Sequence, residues 1–209
     1  MRKEMGFTWA FTLYFKKNKT MLPTLLHQLP LFDQINFTEE ENKLLNKFVK
    51  IRVFGKREKI LSQGEVEKHF NFIHKGLVRK YYIFENVHEI NIQFATEGNI
   101  ICSSFSYFSG KPSDHFVEAV ETVVLLSIEI KDMDFIMSQG DRFTRLGKLL
   151  MTQLFLYNEE RERDLLIPDA EMRIKYFLTS KPELARRLQQ TYIASYLNVK
   201  PETFSRLKK

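Results

Sequence analysis

The spacing of apolar residues divides this chain into three zones. Leu44, Leu45 and Phe48 fall at helical spacing, and Thr38 followed three residues later by Glu41 is typical of a capping box at a helix start. From residue 51 to about residue 130, apolar and polar positions alternate in short runs rich in β-branched and aromatic side chains, which predicts strands. Beyond residue 131 the spacing is helical again. The pattern predicts a helix, a β domain and a helical C-terminal part.

The β zone is predicted to close on itself. Strands are expected over 51–54, 59–61, 71–74, 77–84, 89–94 and 122–130. Glycines separate these runs, at Gly55, Gly64, Gly76, Gly98 and Gly110. Short strands at regular spacing with glycine turns indicate a closed antiparallel barrel, roll or jelly roll. The fold class is therefore predicted to be α+β, with an N-terminal antiparallel β domain and an all-α C-terminal domain.

A long helix is predicted over residues 141–167, after a short helix over 132–137 that Gly140 ends. At 1.5 Å per residue it would span about 40 Å, too far to lie within one small domain. One set of its side chains follows the 3-4-3-4 spacing of a coiled-coil seam: Phe143, Leu146, Leu150, Gln153 and Tyr157. We expect this seam to hold a homodimer, because two-fold dimers are the commonest oligomers. A helix that packs only within its own chain is the alternative.

The segment 190–207, QTYIASYLNVKPETFSRL, carries the most specific motif. Pro168 is followed by a predicted helix over 169–179, with Asp169 as its cap. Two short helices are then predicted around a turn at Asn198, because asparagine tolerates the left-handed conformation. Ala194 suits a close helix crossing, and Phe204 is expected to face inward. This is helix-turn-helix spacing. A helical hairpin without DNA binding is the alternative.

The charge distribution favours the DNA-binding interpretation. The formal net charge is +6, and residues 171–209 hold nine basic and three acidic side chains, so the whole excess lies in this segment. A basic segment on a neutral body indicates a polyanion partner, most commonly double-stranded DNA. Arg206 can pair with guanine and Glu202 with cytosine in the major groove, while Thr191 and Lys208 suit phosphates. The full predicted set is Gln190, Thr191, Lys200, Glu202, Thr203, Ser205, Arg206, Lys208 and Lys209.

Several other classes of protein are disfavoured. The single cysteine, Cys102, excludes an internal disulfide and a Cys-rich zinc or iron–sulfur site, so we expect a reducing, cytoplasmic setting and no metal. No apolar run reaches the length of a membrane-spanning helix. Catalysis is not expected, because Ser113, Asp114 and His115 are adjacent and cannot converge as a triad, and no P-loop, G-x-S-x-G or H-E-x-x-H motif is present. Residues 1–28 are read as an N-terminal extension of uncertain start, with translation from Met21 as the alternative.

A β domain followed by a long helix and a C-terminal helix-turn-helix resembles the Crp/Fnr family of bacterial transcription regulators. Glu202, Thr203 and Arg206 match the family's E-T-x-x-R core, and the strings Ile-Ala-Ser-Tyr-Leu and Pro-Glu-Thr resemble its Bacteroidetes branch. The resemblance covers residues 29–209. It implies a cyclic-nucleotide-binding-like β-roll over 29–140, a dimerisation helix over 141–167 and a DNA-binding domain over 168–209, with RNA polymerase as a candidate partner. Pro201 stands where the family has its first recognition-helix arginine.

The phosphate cassette departs from the family pattern. The family's Gly-Glu-Leu glutamate position reads Ser103, and its arginine position reads Ser113. Loss of a charge-assisted partner for a buried phosphate costs about 3–5 kcal/mol, so cyclic AMP and cyclic GMP are predicted not to bind at micromolar levels, and no cofactor is expected. The candidate effector pocket comprises Ser103, Ser104, Phe105, Lys111, Ser113 and Asp114. Two alternatives remain for this pocket: it binds a less charged ligand, or it is collapsed and filled by aromatic side chains. A dimeric interaction protein without DNA binding is the alternative function.

Overall fold

The computed structural model describes residues 29–85 and 88–208. It begins with α1 (Pro30–Asp33) and α2 (Glu39–Phe48). The predicted capping box at α2 is confirmed: the Thr38 hydroxyl accepts from the backbone N–H of Glu41, and the Glu41 carboxylate accepts from the backbone N–H of Thr38. The N-terminal extension, and Lys209 at the other end, lie outside the described residues.

Eight strands among the described residues form two four-stranded antiparallel sheets. The first sheet has the order β1-β8-β3-β6 and the second β2-β7-β4-β5. The strands are β1 (Val49–Phe54), β2 (Lys59–Leu61), β3 (His69–Lys75), β4 (Val78–Phe84), β5 (His88–Ala95), β6 (Ile100–Ile101), β7 (Phe116–Ala119) and β8 (Val123–Glu129). The two sheets face each other across an apolar interior, as predicted for a closed antiparallel β structure.

Helices cover both outer surfaces of this roll. They are α3 (Ser104–Ser109), α4 (Ile130–Met137), α5 (Asp141–Leu166), α6 (Ala170–Ser180), α7 (Pro182–Arg187), α8 (Gln190–Tyr196) and α9 (Pro201–Leu207). The predicted cap of α6 is confirmed, since the Asp169 carboxylate accepts from the backbone N–H groups of Glu171 and Met172. Within the described part of the chain, no helix has the length and apolarity that a membrane crossing requires.

Strand alternation separates the apolar residues into three layers. On β8, Leu125 faces the roll interior, while Leu126 faces a cluster formed with α1, α2, α4 and α5. On the opposite side, Leu77, which directly precedes β4, and Phe94 of β5 belong to a third cluster that includes Ile193 and Phe204 of the C-terminal helices. The C-terminal helices are thus built directly onto the second sheet.

Three residues of the predicted dimer seam on α5 are already covered by their own chain. Phe143, Leu146 and Leu150 are fully buried in the cluster against the first sheet of their own chain. Gln153 and Tyr157 also face the body: both line a small cavity beside β5, and the Tyr157 hydroxyl donates to the carbonyl oxygen of Ile92 at 3.5 Å. The 3-4 spacing identified the buried stripe of the helix, but spacing alone does not tell which surface covers that stripe.

Candidate effector pocket and nucleic-acid interface

The last two helices, α8 and α9, form a compact pair around a tight turn. Asn198 has φ +52°, in the left-handed region as the sequence predicted, and the backbone N–H of Val199 donates to the carbonyl of Ala194 at 3.0 Å. Ala194 is fully buried, and Phe204 packs from α9 into the cluster on the second sheet. The small side chain and the turn residue therefore fix how the two helices cross.

The predicted DNA-contacting residues share one exposed surface of this helix pair. Gln190 and Thr191 of α8 line the same shallow hollow as Glu202, Ser205 and Arg206 of α9. The side chains exposed in this region are Gln190, Thr191, Lys200, Glu202, Ser205, Arg206 and Lys208, while Thr203 is half-buried and Lys209 lies outside the described residues. The structure thus brings together residues that the sequence placed on two separate helices.

The helix pair is hydrogen-bonded to the second sheet through Ser195. Its hydroxyl donates to the carbonyl oxygen of Glu89 at 2.8 Å and accepts from the backbone N–H of Asn91 at 3.0 Å. The guanidinium of Arg79 stacks over the Tyr192 ring, 4.2 Å from its centroid. Sequence reasoning missed these contacts, because they join residues about 100 positions apart in the chain. The first helix of the pair is consequently anchored on the β4–β5 ribbon.

A buried ionic cluster supports this anchor from within the sheet. Arg79 is ion-paired with Glu118, at 2.9 Å, and with Glu89, and Lys59 pairs with the same Glu118. Burial opposes ionisation of Glu118, but hydrogen bonds from Arg79 and Lys59 outweigh it and hold its pKa below the usual value. Every charge in this cluster therefore has an opposite charge beside it.

The predicted effector residues differ in burial and in their contacts. Ser103 and Ser113 are buried, but their hydroxyls are already engaged: Ser103 accepts from the backbone N–H of Ser106, and Ser113 donates to the carbonyl of His115 at 3.0 Å. Lys111 and Asp114 are exposed. Phe105, at 53% exposure, lines an outer groove between α3 and α5 together with Ser104. Of the six predicted residues, Ser104 and Phe105 lie together in this outer groove.

Two of the aromatic side chains of the cassette are exposed and do not fill a collapsed pocket. Phe105 and Phe108 point away from the roll interior, and Phe108 is 64% exposed. The reason is local: α3 is a single short helix capped by Ser103 and ended by Gly110 at φ +67°, and it turns its aromatic face toward α5. These rings do not fill the space between the two sheets.

A carboxylate that the sequence analysis did not single out lies beside Ser103. Glu67 is buried and accepts from the backbone N–H groups of Ser103, at 3.0 Å, and of Lys68 and His69. Burial raises the pKa of Glu67 despite these hydrogen bonds. No motif marks this residue, since it reaches the cassette from the loop before β3.

The inner face of the roll also holds buried polar groups. Val78 belongs to the interior cluster, so alternation places Lys80 on the same inner face of β4, where it is only 8% exposed. His115 is buried nearby, with its Nδ1 at 2.8 Å from Asp114 and its Nε2 without a hydrogen-bond partner among the described residues. Burial and the charge of Lys80 lower the pKa of His115 to about 4. Burial raises the pKa of the Cys102 thiol to about 11.

Known proteins share the β domain and the general architecture. Residues 51–140 match the family model of the cyclic nucleotide-binding domain. This part of the chain is therefore similar to a cyclic nucleotide-binding domain. A search of curated protein sequences finds no significant match.

Solved structures of regulators have a similar fold over most of the chain. A transcriptional regulator of the Crp/Fnr family from Eubacterium rectale aligns with a TM-score of 0.67 at 16% identity, over 87% of this chain and 85% of that one. FixK2 from Bradyrhizobium japonicum gives 0.64 at 18% identity, over 76% and 82%. The c-di-GMP-responsive global regulator CLP of Xanthomonas campestris gives 0.65 at 13% identity, over 81% and 89%. At these identities the likeness concerns the fold.

Proposed function

We propose that this protein is a dimeric DNA-binding transcription regulator of the Crp/Fnr type that reads a palindromic operator through α8 and α9. The observation that carries the proposal is the shared surface of the helix pair, where the predicted contact residues from both helices are exposed side by side. The fold similarity to Crp/Fnr regulators and the basic excess of residues 171–209 support it. It acts in the cytoplasm without catalysing a reaction, and RNA polymerase is its expected partner at promoters.

In this proposal α9 enters the major groove with its N-terminal end toward the bases. Arg206 pairs with the O6 and N7 of a guanine, and Glu202 accepts from a cytosine N4 amino group. Thr191 at the start of α8, together with Lys200 and Lys208, contacts phosphates and fixes the orientation of the helix pair on the duplex. Ser205 and Gln190 complete the same surface.

The homodimer forms through the outward face of α5 instead of the predicted seam. Phe155 is 62% exposed and Leu166 is 73% exposed. These two residues are eleven positions apart, about three helical turns, so they lie on one face. Met151 and Phe155 also line the groove that Phe105 and Phe108 of α3 border. Such a contiguous aromatic surface indicates an interface, and a symmetric second copy is the simplest partner.

Cyclic nucleotides are not the effector in this proposal. Ser113 stands at the phosphate-binding arginine position, and its hydroxyl is committed to the backbone of His115. Lys111 is exposed and does not line the roll interior. Isothermal titration calorimetry with cyclic AMP and cyclic GMP is expected to show no binding at micromolar concentrations, and a micromolar dissociation constant would contradict this part of the proposal.

The test of DNA binding has two steps. Genomic fragments are first selected by binding to the purified full chain, and the affinity for the enriched sequence is then measured by fluorescence anisotropy at several salt concentrations. We expect an enriched sequence with two half-sites, and an affinity that falls steeply as salt rises, because neutralised phosphates release counterions. Arg206→Ala should weaken binding by about 1–3 kcal/mol and relax the sequence preference at one position in each half-site.

Arg186→Ala is the matched control, because Arg186 is also exposed on the C-terminal helices but is paired with Glu183. It should leave the sequence preference unchanged. Equal effects of the two substitutions, or no sequence enrichment by the wild-type chain, would favour an interaction protein that does not read DNA.

A further inference from the structure

The carbonyl oxygens at the end of α8 are satisfied in two different ways. The backbone N–H of Val199 donates to the carbonyl oxygen of Ala194 at 3.0 Å, so the turn itself closes part of the helix end. The carbonyl oxygens of Tyr196 and Leu197 accept from no backbone N–H among the described residues. Their hydrogen-bond donors are guanidinium groups that belong to two other helices.

Arg161 of α5 is the first of these donors. Its Nη2 atom donates to the carbonyl oxygen of Tyr196, and its guanidinium carbon lies 3.7 Å from the centroid of the Tyr196 ring. The ring is buried between Phe94 of β5 and Phe177 of α6, at centroid distances of 5.2 Å and 5.8 Å. Arg161 therefore holds the long helix to both the backbone and the side chain of the last residue of α8.

Arg173 of α6 is the second donor, and it joins two helix ends. Its Nε atom donates at 3.1 Å to the carbonyl oxygen of Leu197, directly after α8. Its Nη1 atom donates to the carbonyl oxygens of Ile167, at 2.7 Å, and Pro168, at 3.2 Å, directly after α5. Carbonyl oxygens at helix ends carry partial negative charge, so a cation between them is favourable. One guanidinium thus bridges the end of the long helix and the end of α8.

Neither arginine has a carboxylate partner. Arg161 and Arg173 form no ion pair with any residue of 29–85 and 88–208. The neighbouring carboxylate, Asp164 of α5, is paired with Lys181 at 3.1 Å and with Arg163 at 3.2 Å. Because the donors of a guanidinium point in fixed directions, each of the two arginines fixes the relative position of the backbone segments that it joins.

The two helices beyond this joint are packed as one unit. Ala194 of α8 and Phe204 of α9 are both buried in the cluster that the two helices share, so a change in the direction of α8 carries α9 with it. Glu202 and Arg206, which are proposed to read bases, lie on α9, away from the arginines. The angle between α5 and α8 therefore determines where α9 points, without changing which side chains α9 presents.

From these contacts we propose that Arg161 and Arg173 form a clamp that determines the spacing of the two operator half-sites. In a homodimer held through α5, the two-fold axis repeats the angle between α5 and α8, which sets the separation and the rotation of the two α9 helices. One base pair changes the separation of the half-sites by about 3.4 Å and their rotation by about 35°, so a fixed joint accepts one spacing. This inference rests on the proposed function and adds to it two specificity determinants that touch no base.

The test measures spacing preference and base preference separately, by fluorescence anisotropy with the purified full chain. One series of duplexes carries the two half-sites enriched by the wild type, at the enriched spacing and at one base pair fewer and one more. A further duplex keeps the enriched spacing and has one altered base pair in each half-site. The wild type should bind each altered duplex about tenfold more weakly, because a misplaced helix loses contacts comparable to those of a mismatched base pair.

Arg173→Lys is the decisive variant. Lysine keeps the charge but replaces the rigid fork by a compact point donor on a flexible stem. The loss of affinity at the shifted spacings should therefore fall from about tenfold to below about threefold, while the loss for the altered base pairs stays at about tenfold. Arg161→Lys should have the same effect, which keeps the test decisive if Arg173→Lys does not fold. Lys175→Arg changes an exposed cation two positions away on α6, and this matched control should keep the spacing preference of the wild type.

The proposal is overturned if the folded arginine variants keep the spacing preference of the wild type, or if the wild type binds all spacings equally. A parallel loss of spacing and base preference would also contradict it, since that result indicates a weakened helix pair and not a changed joint. Failure of both variants to fold, measured by far-ultraviolet circular dichroism, would show that the arginines hold the fold itself and would reject the clamp. Absence of sequence enrichment by the wild type would reject the proposed function, whereas normal half-site reading with an unchanged spacing preference in the variants would reject this inference alone.

Discussion

Arg79 and Lys80 are adjacent on β4, yet their surroundings are opposite. Arg79 faces outward, toward α8, where Glu118, Glu89 and the Tyr192 ring surround its guanidinium. Lys80 faces inward and has no opposite charge in contact among the described residues. On the outer side of the sheet, the buried guanidinium contacts opposite charges. On the inner side, the lysine does not. A buried charge that is paired indicates a structural joint.

The strongest test of this contrast is to remove each charge in turn. Arg79→Met should lower the free energy of unfolding by about 3–5 kcal/mol, because it leaves buried carboxylates short of a partner. Lys80→Met should not lower it, because it removes an unpaired charge. Urea unfolding followed by far-ultraviolet circular dichroism measures both, with the exposed Lys56→Met as control. Equal losses for Arg79→Met and Lys80→Met would show that the two sides of the strand do not differ as described.

The pH dependence of stability sharpens the description of the inner side. Burial and the charge of Lys80 lower the pKa of His115 to about 4, whereas an unfolded histidine titrates near 6.5. The unfolded state therefore binds more protons between these values, and stability is lost as the pH falls from about 6.5 to 4. The shift corresponds to about 3 kcal/mol at the acidic end of this window.

Urea unfolding at pH 7 and pH 4.5 measures this loss in the wild type and in His115→Gln. The variant should lose less stability on acidification, while His88→Gln, a substitution at an exposed histidine, should behave like the wild type. Identical slopes for the wild type and His115→Gln would mean that His115 is not held neutral by its surroundings.

A smaller effect is expected at the joint between the sheet and the helix pair. Ser195→Ala removes two hydrogen bonds to the β5 backbone and should cost about 1 kcal/mol in global stability. Its larger consequence should be faster amide hydrogen exchange in α8 than in β3, because the helix pair loses part of its anchor while the roll is untouched. Thr179→Ala, at an exposed position on α6, is the control, and uniform exchange changes across both regions would argue against a local joint.

Local patterns predicted much of the fold. The Thr38 capping box, the Asp169 cap and the left-handed Asn198 depend on a few neighbouring residues, and the structure has all three. The strands between residues 51 and 94 were predicted from the alternation of apolar and polar positions. Strand β6, with two residues, is too short for a period to be detected, and strand β7, with four, also escaped prediction.

The candidate sites were less predictable, because they depend on tertiary pairing. The helical spacing identified Phe143 and Leu150 as part of an apolar stripe, but it gave no information about the surface that covers the stripe. In the structure, these residues pack in the core of their own chain. Glu67 reaches the cassette from another loop, so no motif signals it. Lys80 was within reach of sequence reasoning, because strict alternation from Val78 places it inside the roll, where a lysine is an exception.

The β4–β5 ribbon has a practical consequence for protein engineering. Because its two surfaces alternate residue by residue, the side chains that face the roll interior and those that hold α8 and α9 belong to one continuous piece of backbone, yet share no atoms. A designer could therefore change the inward positions of the ribbon while retaining the outward ones that anchor the helix pair.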